Sequence, residues 1–124
     1  MHAKLRCCLV LTGLVATLSA VAEDTPLAIQ TDLEGQYFLV EKGGTPTLPT
    51  LLVKRVAPYG THFVKREFDC EAKTQRHLGE GDSSEALAAS EPDKQTTAIK
   101  TGSIADQLLQ YACPPAQSPV QADK

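Results

Sequence analysis

The clearest pattern of apolar and polar positions lies between Leu51 and Cys70, where two β-rich runs, LLVKRV and THFVKREFDC, flank the sequence APYG. Branched and aromatic residues on both sides of a Pro-x-Gly turn predict an antiparallel hairpin that reverses at Ala57–Gly60. The period of two puts Val64, Phe68 and Cys70 on one face of the second strand with His62 and Arg66, and Phe63, Lys65, Glu67 and Asp69 on the other. Cys70 is therefore expected to point with the apolar set. Upstream, GQYFLVEKGG reads as a strand bounded by glycines, and TPTLPT as a Pro-broken connection. Downstream, EAKTQRHL reads as a solvent-facing strand. GEGDSS then leads into an acidic, Ala-rich stretch ending near Gln95, expected to be a long loop with a helical turn at Glu85–Ala89. TTAIKT is expected to form a last strand.

The segment GSIADQLLQYAC changes period from two to 3.6. Ser103 is placed as N-cap, Asp106 as its capping-box partner three residues on, and Pro114 and Pro115 as the stop. Ile104, Leu108 and Tyr111 share one helical face, widened by Ala105, Leu109 and Ala112, while Asp106, Gln107 and Gln110 fill the remaining arc. Such a helix should lie on a sheet. The expected fold class is α+β: an antiparallel sheet of five or six strands with a C-terminal helix packed on it.

The N-terminus adds a compartment. MHAKLR is basic, CCLVLTGLVATL is an apolar run of about a dozen residues, and Ala20 and Ala22 give a small-residue cleavage signal, the layout of a secretory signal peptide. Cleavage is expected after Ala22. The run is short of the roughly 20 apolar residues that cross a bilayer, and no second such run follows, so no membrane insertion is expected after cleavage. The expected organisation is a signal peptide over 1–22, a weakly ordered N-terminal segment over 23–34, one domain over 35–113 and a disordered tail over 114–124.

Cleavage removes Lys4 and Arg6 from the twelve basic residues and none of the fifteen acidic ones, so the net charge of −3 becomes −5. A mildly acidic chain without Trp and without clustered cations is not expected to bind nucleic acid. Cleavage also removes Cys7 and Cys8. The remaining pair, Cys70 and Cys113, is expected to form one disulfide in an oxidising compartment, because the two stand far apart in sequence and lack the C-x-x-C arrangement of a redox site.

Few residues suggest chemistry. GDSS, Gly81–Ser84, matches a Gly-Asp-Ser nucleophile block, but no His follows His77, so a hydrolase needs His77 and Ser83 to meet. His62 and His77 with Glu80, Asp82 or Asp69 lack tight ligand spacing, and neither a metal nor a cofactor is expected. Arg66, between Val64 and Phe68, faces inward and demands a partner, so an ion pair with an acid of the N-terminal segment or helix is expected. Lys54, Arg55 and Lys65 form the candidate interaction surface.

The strand ending in FDC, Arg76, the glycine turn at Gly79, the acidic loop and GSIADQLLQYAC together resemble the surface-adhesin protein E-like family of small bacterial envelope proteins. The resemblance covers about residues 35–113. It implies an antiparallel sheet carrying a C-terminal helix tied by one disulfide, and adhesive binding to host matrix proteins; members often carry Trp before the helix, which this chain lacks. The function expected is a non-catalytic protein-binding module, adhesin-like or accessory, in the periplasm or at the cell surface. The alternative is a periplasmic enzyme inhibitor or accessory subunit that inserts a loop such as Gly79–Asp93 into its partner; a small hydrolase comes third.

Overall fold

The computed structural model describes Gly13 and residues 24–115. Apart from Gly13, the expected signal peptide lies outside the described residues, as does the tail from residue 116.

Six strands follow one another across a single antiparallel sheet in chain order: β1 (Thr25–Leu27), β2 (Gln36–Gly44), β3 (Pro49–Ala57), β4 (Gly60–Asp69), β5 (Thr74–Gly81) and β6 (Thr97–Ala98). A short helix α1 (Ser84–Ala89) follows β5, and α2 (Ile104–Ala112) closes the domain. The fold is the expected mixture of antiparallel sheet and C-terminal helix, tied by a disulfide between Cys70 and Cys113 with Cα atoms 5.8 Å apart. A loop of 43 residues closed in this way stabilises the folded state by about 4 kcal/mol on the chain-entropy account.

The central hairpin turns through Pro58 and Tyr59 alone, pairing Val53 with Val64 and Ala57 with Gly60. Its register fixes two faces. The inner face carries Tyr37 and Leu39 of β2, Leu51, Val53 and Arg55 of β3, and His62, Val64, Arg66 and Phe68 of β4. On this face Leu27, Tyr37, Leu51, Val53 and Phe68 meet Leu108 and Ala112 of α2 in one buried cluster. Leu51 and Phe68 are wholly enclosed, the latter two residues before Cys70. Cys70, one pleat further along that face, therefore meets Cys113 at the end of the helix.

Ser103 caps α2 by accepting from the Asp106 N–H at 3.2 Å. Asp106 answers one residue earlier than a capping box predicts: its carboxylate accepts from the Gly102 N–H at 2.8 Å, because the Ser103 N–H is already bonded to the Lys100 carbonyl. The buried stripe is Ala105, Leu108 and Ala112, while Tyr111 lies at its edge, 37% exposed.

The N-terminal segment corrects the expectation of weak order. Thr25–Leu27 adds a strand to β2, and Leu27 enters the core. Beyond it the backbone is strapped to α2: the Ala28 N–H donates to the Tyr111 hydroxyl at 2.9 Å, and the Gln30 N–H to Gln107 Oε1 at 2.7 Å. Tyr111 at the edge of the buried stripe and Gln107 on the polar arc thus satisfy backbone groups of this segment.

Candidate functional site

Lys54, Arg55 and Lys65 do not form one patch. Residues adjacent in a strand project to opposite faces, so Lys54 and Lys65 stand on the outer face and Arg55 on the inner. On the outer face Lys54 is paired with Asp24 and lies over the Phe38 ring, 5.2 Å from its centroid. Lys65 forms no ion pair among the described residues. Around these lysines stand Phe38, Leu52, Val56 and Phe63, all half-buried. The helix α1 packs chiefly on β5 and to a lesser extent on β4, resting beside Gly79 and Gly81, where a Cβ at Gly81 would come within 2.6 Å of the Ala86 side chain. Among the described residues, α1 is the helix on this face, and it lies towards the β5 side. At the hairpin tip, Tyr59 is 92% exposed.

On the inner face, α2 lies against β3, and a cleft of about 110 Å³ opens between Ile104 and Leu108 of the helix and strands β2–β4. Val53, Val64, Ile104 and Leu108 form its apolar wall; Tyr37, Arg55, His62 and Arg66 form the polar one. Arg55 Nε and Nη2 donate to the two carboxylate oxygens of Asp32 at 2.6 and 3.2 Å, and the Tyr37 hydroxyl donates to the same carboxylate at 2.7 Å. The Gly35 N–H donates to it as well, at 3.0 Å, and a side chain at Gly35 would collide with the Arg55 guanidinium. The Arg55 guanidinium and the Tyr37 hydroxyl hold the Asp32 carboxyl far below the usual carboxylate range, and the same pairing raises Arg55. Burial, followed by the nearby carboxylate, raises the Tyr37 phenol.

His62 faces two acids of the β5 end, with Nδ1 2.9 Å from Asp82 Oδ1 and Nε2 3.4 Å from Glu80 Oε2. The contact with Asp82, aided by Glu80, raises its pKa against the opposing effect of burial.

Arg66 is sunk on the inner face as expected, but the expected acid is absent. Its Nη1 donates to Gln75 Oε1 at 3.1 Å, no carboxylate among the described residues pairs with it, and its buried Nε has no acceptor. Asp32, the nearest candidate in sequence terms, lies in the turn before β2 and reaches β3, whereas Arg66 stands one strand further away. Burial accordingly lowers the Arg66 pKa.

Other candidates are separated. Ser83 accepts from the Ala86 N–H at 3.1 Å and so caps α1; neither described histidine hydrogen-bonds it. His77 instead lies 3.9 Å from Asp93. The stretch Gly79–Asp93 is pinned, with Glu80 N–H on Ser90 Oγ at 3.1 Å and Asp93 N–H on the His77 carbonyl at 2.8 Å. Among the described residues no group of three or more His, Cys, Asp or Glu side chains is placed to hold a metal ion. Asp32 and Gln75 were not singled out by the sequence reading; the short TDLEG turn was the one local signal for Asp32. No family model, curated protein or solved structure matches the chain.

Proposed function

We propose that the chain is an exported, non-catalytic protein-binding module of the bacterial envelope, adhesin-like or accessory, that meets its partner with the outer face of the sheet. The observation that carries this reading is the make-up of that face. Phe38, Leu52, Val56 and Phe63 stay half-buried around Lys54 and Lys65, and α1, the helix on this face among the described residues, packs chiefly on β5. Aromatic and aliphatic surface gains on leaving water, while an unpaired Lys65 favours an acidic counterpart and disfavours a basic one. The Cys70–Cys113 bridge fits an oxidising compartment, as does a signal peptide cleaved after Ala22. The resemblance to the surface-adhesin protein E-like family supports the same reading. In this account Ser83 is a helix cap and His77 a strand residue beside Asp93, each with a structural partner.

The test compares capture of envelope and matrix proteins by the oxidised chain with capture by Lys65→Glu, which reverses an outer-face charge without an ion pair among the described residues, and by Arg55→Gln on the inner face. The expected result is a stoichiometric partner that Lys65→Glu loses at least about tenfold in affinity and Arg55→Gln retains. A partner indifferent to Lys65, or no retained partner, overturns the outer-face assignment.

A further inference from the structure

The two margins of the sheet are finished differently. Beyond the two residues paired with β6, β5 is met by the chain itself: the His77 carbonyl accepts from the Asp93 N–H at 2.8 Å, and the Glu80 N–H donates to Ser90 Oγ at 3.1 Å. Beyond the three residues paired with β1, β2 runs on from Val40 to Gly44 with every residue exposed. Among the described residues, no hydrogen bond from outside the sheet reaches the backbone of Val40–Gly44. β3 holds one side of this stretch, through the pairs from Glu41–Leu52 to Gly44–Pro49, and the other side presents free N–H and C=O groups. Register gives the margin two faces. Glu41 pairs with Leu52 and points outward; Lys42 pairs with the enclosed Leu51 and points inward, where Nζ donates to the Tyr111 carbonyl at 3.0 Å. That bond uses one of the three ammonium donors. Neither Glu41 nor Lys42 forms an ion pair among the described residues. Further along, Gly43, Gly44, Pro46 and Pro49 line a cavity of about 420 Å³ together with Ala112 at the end of α2.

We infer that Glu41–Gly44 is a strand-addition site for an extended peptide lying antiparallel to β2, with an apolar residue opposite Gly44, an acid opposite Lys42 and a base opposite Glu41. The direction continues that of β1, which pairs antiparallel along the same margin. Directly opposed residues of antiparallel strands share a face, so the acid meets Lys42 on the inner side and the base meets Glu41 on the outer. The residue opposite Gly44 finds no side chain facing it and has the cavity beside it. A second copy of the chain fits less well. Two identical antiparallel strands related by a two-fold axis set one residue opposite itself. Glu41 or Lys42 at that centre faces its own charge, Val40 runs into the β1 already paired with Leu39, and Gly43 leaves a ladder from Lys42 to Gly44 alone. The margin is separate from the outer face that carries Lys65, so the two readings fail independently.

The experiment follows the backbone amides of the oxidised chain by nitrogen-15 NMR during titration with the end-blocked peptide Phe-Thr-Glu-Lys-Thr, whose Phe, Glu and Lys stand opposite Gly44, Lys42 and Glu41. The expected result is a saturable shift and slowed hydrogen exchange centred on Val40–Gly44, with a Kd of about 1 mM or tighter. The same peptide N-methylated along its backbone cannot complete the ladder and should bind at least about tenfold more weakly. Phe-Thr-Lys-Glu-Thr sets like charges opposite Lys42 and Glu41 and should bind about two- to fivefold more weakly. Glu41 and Lys42 are exposed, so the chain carrying Glu41→Lys with Lys42→Glu keeps its fold and should reverse that preference. Unresponsive amides at Val40–Gly44, equal binding of the methylated peptide, or indifference to charge order overturns the proposal. Shifts at these amides on concentrating the chain alone assign the margin to a second copy and likewise overturn it.

Discussion

The two helices begin alike and end differently. Each opens on a serine whose hydroxyl accepts a backbone N–H three residues on, Ser83 for α1 and Ser103 for α2, and each has an acid in its first turn. There the likeness stops: α2 buries Ala105, Leu108 and Ala112 against the sheet and ends in a disulfide, whereas α1 buries no residue and sits on two glycines of β5. A cap sets where a helix starts. What the helix contributes to stability is decided by the surface it buries and the crosslinks it carries.

The largest expected break in this contrast is at the covalent tie. Cys113→Ala should destabilise the fold by about 4 kcal/mol and lower the melting temperature by roughly 15–30 °C; calorimetry of oxidised wild type and variant checks this, and an unchanged transition would refute the staple. Next comes burial. Leu108→Ala should cost about 2–5 kcal/mol in urea unfolding, while replacing the half-buried Leu87 of α1 with Ala should cost under about 1 kcal/mol; equal costs would erase the distinction between the helices. The caps give the smallest and sharpest comparison. Ser103→Ala should lower global stability by about 1 kcal/mol, whereas Ser83→Ala should speed amide exchange within α1 and leave global unfolding nearly unmoved, since α1 opens without the core.

The Ser103 cap, the central hairpin and the disulfide were legible in the sequence because each is a local pattern or a matter of counting, whereas Ser83 stood in the sequence as a candidate nucleophile and caps α1. β1 was not, for its three residues take their order from pairing with Tyr37–Leu39 of β2, and Ala28 and Gln30 just after it are held by Tyr111 and Gln107, 83 and 77 positions away. The split of Lys54 from Arg55 was legible in principle: neighbours in a strand face opposite ways, and grouping them by sequence proximity ignored that period. The setting of Arg66 was not legible. It depends on the register of β4 with β5, which shifts between Lys65 and Arg66, and nothing in either run of sequence marks the bulge.

The outermost strands carry one more consequence. β1 has three residues, one of them Pro26, which has no N–H to offer, and β6 has two. β1 pairs with only Tyr37–Leu39 of the nine-residue β2, and β6 with only Thr74 and Gln75 of the eight-residue β5. The two end strands therefore offer a foreign extended chain a ladder of only two or three residues, and guard the sheet against templating copies of itself along the residues they cover.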